Sequence, residues 1–377
     1  MILKLYNRLF FDIILSVFFF FQILGINWSS GLLEWILNIS SLLFVLILII
    51  PKLNVPFKNM WMFHVFLIFW VFTDLIVMII DIYNFGFIHL ALGNLAVISF
   101  QLPVLAIILY YFLCNYKSFK IFAFFSFIIT IALYVFWFVE IIESFKYQII
   151  GNFALFSIIL FQNINFSKHK KINFLLNILL IIVVLTVGSR QSLLGLIILG
   201  LILILISAKK YFFKIVIFVT VFSSFLFFII NSSENIYNSF EEFNTISRFI
   251  DNASLESSSN SYRIESANML IENFSYLPNG YGYTQDYYFL EPHNLFLEII
   301  YLKGYILGGF IVSILILLIL NSILHIKSKV ISFLIIVLLV PALVSYTLHA
   351  ARFFMIGILV LLITKSFSNF NNKKYIF

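Results

Sequence analysis

The chain has 377 residues, 63% of them hydrophobic and only 10% charged. A soluble chain is nearer to about 45–50% apolar and about 25% charged, so a soluble enzyme, a disordered chain and a disulfide-stapled secreted domain are excluded. The net charge of +7 matters through its placement, and the single cysteine, Cys114, cannot form an internal disulfide. At about 20 residues per spanning helix, the apolar positions have room for about twelve spans.

Long apolar runs between polar breaks place the spans at about 9–26, 31–50, 61–82, 87–113, 119–142, 149–165, 172–188, 191–208, 212–230, 294–320, 330–348 and 350–366. Runs such as Leu42 to Ile50 and Leu193 to Ile206 do not alternate, as barrel strands would. The expected fold is therefore an all-α polytopic membrane protein of about 12 transmembrane helices. Lys4 and Arg8 precede the first run, but no small-residue cleavage site follows it, so the run is expected to stay as the first span.

Cytoplasmic connections carry an excess of lysine and arginine. With both termini cytoplasmic, the inner segments hold 17 of the 23 basic residues, among them Arg8, Lys52, Lys58, Lys117 and Lys120. The outer segments and outer helix ends hold 6: Lys146, Arg190, Arg248, Arg263, Lys303 and Arg352. Four of the five arginines thus fall on the minority side. Lysine anchors topology as well as arginine does, whereas guanidinium grips an oxyanion bidentately and keeps its charge. Each outer arginine on its own could equally snorkel or pair with a loop carboxylate; four together point to a phosphate-bearing ligand.

Only one connection is long. The chain divides into residues 1–230, with helices 1–9, an outer loop over 231–293, and residues 294–377, with helices 10–12 and a cytoplasmic tail. The loop has nine carboxylates against Arg248 and Arg263. Ile264, Ala267, Leu270, Ile271 and Phe274 recur at helical spacing and Pro278-Asn279-Gly280 stops them, which predicts a short amphipathic helix on the outer face. Tyr281, Tyr283 and Tyr287 follow. Their rings are candidates for stacking on the C–H faces of sugars, or they belong to an interfacial aromatic belt.

Two motifs rise above composition. In Thr186-Val187-Gly188-Ser189-Arg190-Gln191-Ser192-Leu193-Leu194 a tight polar turn interrupts two apolar runs. It puts Arg190 at a helix start, where unpaired N–H groups and the dipole favour an anion. In Glu291-Pro292-His293-Asn294 the outer loop enters the tenth span, with Glu298 below and Gly304, Gly308 and Gly309 beyond. His293 is a candidate general base, or a solvated helix-start residue beside a proline.

Arg190 with three residues before Leu194, His293 with ten before Gly304, and Arg263 ahead of Pro278-Asn279-Gly280-Tyr281-Gly282 resemble the signatures of the O-antigen ligase/O-antigen polymerase (Wzy-type) superfamily. By motif the resemblance covers roughly residues 186–310; architecturally it extends to the twelve-span layout with one large periplasmic loop between helices 9 and 10. It implies a metal-independent glycosyltransferase without cofactor in the bacterial inner membrane, with a polyprenyl (undecaprenyl) diphosphate-linked oligosaccharide as donor. It also implies the bilayer and, as partners, a chain-length regulator and a repeat-unit flippase, and no nucleic acid. Arg190 and Arg263 become diphosphate contacts and His293 the catalytic base. Arg352, with His349 three residues before it, fits the same chemistry without matching a signature.

Asp74 and Asp81 share a face of the third span, and intramembrane carboxylates are functional candidates by default; Asp74 could instead pair with an arginine or a hydroxyl inside the bundle. The first functional expectation is a polymerase of lipid-carried repeat units, with an O-antigen ligase acting on lipid A-core as alternative. A twelve-span secondary transporter is the rival of another class. Two similar halves and a long central inner loop would mark it, yet spans six and seven are joined only by about Ser167 to Ile172.

Overall fold

The structure, a computed structural model, describes residues 2–25, 43, 45–53, 60–85, 101–139, 147–164, 170–187, 189–207, 294–324, 329–344 and 351–365. Among these residues there is no strand. The helices are α1 (Ile2–Gly25), α2 (Trp61–Phe85), α3 (Leu102–Leu113), α4 (Tyr116–Phe138), α5 (Tyr147–Gln162), α6 (Lys170–Thr186), α7 (Arg190–Ser207), α8 (Leu295–Leu324), α9 (Lys329–Val344) and α10 (Arg352–Lys365), with a short 3-10 turn at Ile50–Lys52. Eight of these ten coincide with an expected span to within a few residues. The exceptions are α1, which starts seven residues before the expected 9–26, and α3, which forms the last part of the expected 87–113. The spans expected at 31–50 and 212–230, and the loop 231–293, lie largely or wholly outside the described residues.

The surface of the bundle is apolar. On α2, Val65, Ile68, Phe72, Leu75 and Ile79 form an exposed stripe, and on α1 Phe10, Ile14, Val17 and Phe21 form another. Such stripes would be a liability in water; hydrocarbon covers them at no cost. Tyr116–Phe138 and Leu295–Ser322 are long and apolar enough to cross a membrane by length and composition. The described residues are an all-α bundle of the membrane-protein kind.

Without a hydrophobic drive between helices in lipid, close packing and buried hydrogen bonds hold the bundle together. All twelve residues of α3 are buried, and it packs against α10, α4 and α1. Phe19 and Phe20 of α1, Phe112 of α3, Phe122 of α4, Phe153 and Phe156 of α5 and Phe353 of α10 make one aromatic cluster. Its tightest pairs, Phe112–Phe122 and Phe156–Phe353, stack at 4.4 Å between ring centroids. Ser126 and Thr130 of α4 bond Ser157 of α5. α9 contacts α10, α7, α8 and α5 and so lies between the helices that carry the candidate site.

One expected span is not a single rod. Gly304 interrupts α8 with φ 78° and ψ 166°, a conformation essentially restricted to glycine. A Cβ on Gly308 would lie 2.7 Å from the Ile299 carbonyl oxygen. In a straight helix, residues nine apart are separated by about 13 Å, so the two halves fold sharply against each other. The segment after the break, about 20 residues and roughly 30 Å long, suffices to span. The segment before it is about nine residues and too short. The expected tenth span, 294–320, is thus corrected to a short helix and a spanning helix joined at Gly304.

Candidate functional site

The starts of α5, α7, α8 and α10 and the ends of α1 and α9 meet at one end of the bundle, tied by hydrogen bonds. Ser189 precedes α7 and caps it weakly, its Oγ accepting from Ser192 N at 3.4 Å. The two serine hydroxyls lie 2.8 Å apart, and Ser192 donates to Asn152 Oδ1 on α5 at 3.1 Å. Gly151 makes this approach feasible: a Cβ there would stand 2.5 Å from Ser192 Oγ and 2.7 Å from Ser189 Cβ. Small residues at such contacts let helices come close. Ser189 and Ser192 are therefore buried and locked to α5, with Arg190 as the first helical residue between them. Next to it, Gln191 is buried and its Oε1 meets no donor among the described residues.

α8 begins in an equally defined way. Asn294 caps it, accepting from Phe296 N at 2.9 Å and Leu297 N at 3.2 Å, while its amide donates to the Leu343 carbonyl at the end of α9, 3.1 Å away. Asparagine is among the preferred caps because its side chain satisfies orphan N–H groups. Glu298 sits in the first turn and is buried. At the other end of this short segment stands Lys303, fully buried, pairing with Asp74 of α2, donating to Thr73 Oγ1 at 3.0 Å and lying 5.1 Å over the Trp70 ring. Lys303 is therefore corrected from an outer helix-end cation to the buried counterion of Asp74, at the break itself. The partner of Asp74 is an ammonium; the expected hydroxyl is there too, but on the neighbouring Thr73 and bonded to Lys303.

Arg352, the first residue of α10, is buried, and its Nη1 donates to the Ile23 carbonyl at 2.7 Å. Ile23 is in the last turn of α1, where carbonyls lack intrahelical partners and a cation is favoured. Part of the Arg352 fork is thus committed to holding α1. Asp81 falls near the end of α2. His293, Arg263, Tyr281, Tyr283, Tyr287 and His349 lie outside the described residues. The structure brings the backbone starts carrying Arg190, Asn294 to Glu298, and Arg352 to one end and around α9. Among the described residues no three His, Cys, Asp or Glu side chains converge.

Sequence reasoning missed Lys303 as a partner, Asn152 and Gln191 beside the Arg190 turn, and Asp12. Asp12 is buried in α1 near the opposite end, accepting from Tyr111 Oη at 2.9 Å and Ser118 Oγ at 2.7 Å. The signal was available for Lys303 and Asp12, since each is an ionisable residue inside an apolar run.

Residues 175–308 match the protein-family model described as O-antigen ligase. That segment contains the Arg190 turn, the loop and the α8 break, and it bears out the resemblance to the O-antigen ligase/polymerase superfamily. No curated protein and no solved structure matches the chain.

Proposed function

We propose, from the superfamily relationship of residues 175–308, that this chain is a polysaccharide polymerase. It joins undecaprenyl-diphosphate-linked oligosaccharide repeat units at the periplasmic face of the bacterial inner membrane, within a twelve-span layout whose termini are cytoplasmic. The observation that carries this reading is that α7, which starts with Arg190, and the capped start of α8, which follows His293 directly, both pack on α9.

In the reaction, an acceptor sugar hydroxyl attacks the anomeric carbon of the donor glycan. The new glycosidic C–O bond forms as the bond to the diphosphate oxygen breaks, and undecaprenyl diphosphate leaves with the electron pair. His293 takes the hydroxyl proton. Arg190 and Arg263 hold the charge that grows on the leaving diphosphate, a stabilisation that needs fixed donors in a site shielded from water. Arg352, the buried first residue of α10, is assigned to the same charge. The lipid tail stays in the bilayer while the sugars are in water, so the chemistry belongs at the membrane boundary where these helix starts lie. Tyr281, Tyr283 and Tyr287 are assigned to the sugars, and Asp81, Glu298 and His349 to support.

The family's description as O-antigen ligase favours a second reading with the same donor chemistry and lipid A-core as acceptor. Lipopolysaccharide banding of a deletion strain separates the two. Core carrying one repeat supports the polymerase, bare core supports the ligase, and an unchanged ladder overturns both. A His293→Ala chain that reaches the membrane at normal level is expected to reproduce the deletion pattern; a wild-type ladder would remove His293 from the mechanism.

A further inference from the structure

The opposite end of the bundle contains a cavity of about 490 Å³ that the glycosyl-transfer reading does not use. This is within the roughly 300–1,000 Å³ range of small-ligand sites. Its lining includes Arg8 and Phe11 of α1, Lys52 of the 3-10 turn, Tyr111 of α3, and Cys114 and Asn115 at the α3–α4 corner. Three connections distant in sequence thus meet there.

The cations are placed, and the local anion is already satisfied. The Lys52 ammonium sits 2.9 Å over the centroid of the Phe11 ring, a cation–π contact that fixes it at the wall. Asp12 is the carboxylate nearby, but it is buried and both its oxygens accept hydrogen bonds, from Tyr111 and Ser118. It is held behind the wall, where its charge also acts on Lys52, and Arg8 and Lys52 line the opening. Lys117 and Lys120 follow Asn115 on the first turns of α4. The first N–H groups of α4 are capped by Asn115, so recognition falls to side chains. Leu43, Ile47 and Leu48, in the segment that leads to Lys52, form an exposed apolar stripe beside this end.

We propose that this cavity binds the phosphate of an anionic phospholipid headgroup, with Arg8 and Lys52 as its contacts and the acyl chains lying along exposed Leu43, Ile47 and Leu48. A guanidinium fork suits a phosphodiester, and basic pockets between helix ends are a recurrent form of anionic headgroup site. The adjoining apolar stripe selects a lipid over a free anion, because a soluble phosphate has no use for it. The proposal rests on the chain being embedded in a membrane and is independent of the glycosyl-transfer reading.

The experiment uses the purified full-length chain in neutral detergent, titrated with phosphatidylglycerol, phosphatidylcholine or inorganic phosphate and followed by thermal unfolding. Phosphatidylglycerol is expected to raise the melting temperature saturably; the other two are not. Arg8→Gln and Lys52→Gln should each weaken the half-saturating concentration by roughly fivefold, the worth of one cation near an anionic lipid. Their melting temperatures without lipid should match wild type, which shows that they fold. Spin-labelled phosphatidylglycerol, with its immobilised fraction falling in each variant, gives a second readout. Equal shifts from phosphatidylcholine, or an unchanged titration in both variants, would overturn the proposal. A shift from inorganic phosphate as large as that from phosphatidylglycerol would convert the cavity to a free-anion site and also overturn it.

Discussion

At the end where α5, α7, α8 and α10 begin, buried polar side chains are bonded to neighbouring helix termini: Ser192 to Asn152, Asn294 to the Leu343 carbonyl, Arg352 to the Ile23 carbonyl. At the opposite end, Arg8 and Lys52 line an open cavity and only Asp12 is fully engaged behind it. The first end is built like a scaffold, with hydrogen bonds that fix backbone starts and so fix what projects from them. The second offers cations held by packing, suited to a ligand that brings its own charge. Between the ends lies the Lys303–Asp74 pair, which ties the short segment of α8 to α2. Site geometry on the first end therefore depends on an ion pair within the bundle, whereas the second end has no such dependence.

The largest expected effect breaks that dependence. Asp74→Asn leaves the Lys303 ammonium buried against Trp70 and Thr73 without its counter-charge. Breaking a buried pair in this way typically costs about 3–5 kcal/mol, so the variant should lose most of its folded yield and melt far below wild type. Replacing both partners, Asp74→Leu with Lys303→Met, should recover much of that loss, because apolar substitutes for a buried pair are often neutral. A wild-type melting curve for Asp74→Asn alone would show that the pair does not pin α8.

Next comes charge shape at Arg190. Loss of one preorganised charge-stabilising donor typically costs about 10²–10³ in rate, so Arg190→Ala should leave almost no polymer. Arg190→Lys keeps the charge but not the fork and should fall between. Arg8→Gln, at the opposite end, should retain wild-type polymer, and that contrast is the functional counterpart of the structural one. Wild-type polymer from both Arg190 variants would defeat the donor-site reading.

Much of this was legible in the sequence, and the reason is the bilayer. A solvent that admits only internally bonded backbone makes apolar run length a sufficient signal, so eight helices fell within a few residues of expectation. The Arg190 turn was legible because Gly188-Ser189 interrupts two such runs. What stayed hidden is contact across the chain. Nothing local to Asp74 names Lys303, more than two hundred residues on, and nothing in Asn152 announces Ser192. The Gly304 break was missed because Leu295 to Leu324 is predominantly apolar, and apolarity says nothing of backbone direction. Glycine was the clue there, but Gly308 and Gly309 beside it diluted its meaning.

Gly304 and Gly309 now separate. Gly304→Ala forces an L residue into a glycine-only conformation, at a cost of about 1–3 kcal/mol, and should lower both melting temperature and polymer yield. A Cβ at Gly309 meets nothing within 4 Å, so Gly309→Ala should be silent in both assays. Equal effects from the two would mean that the region tolerates or rejects side chains generally, and that the break at Gly304 has no special role.

The smallest effect reads the opposite end directly. Cys114 is the only cysteine, so any thiol chemistry on the folded chain reports from the wall of the cavity. Burial pushes its thiol up to about 11, partly offset by a hydrogen bond with Tyr110. Because the thiolate is the reactive species, a raised value means little of it near neutrality. Iodoacetamide should therefore modify the folded chain slowly at pH 8, with the rate climbing about tenfold per pH unit as the thiolate fraction grows. Denaturation in dodecyl sulfate should remove the difference and give the rate of an ordinary thiol. Fast modification of the folded chain at pH 8 would mean that this end is open to water at Cys114. The wall that holds Lys52 over Phe11 would then be looser than the contrast between the two ends requires.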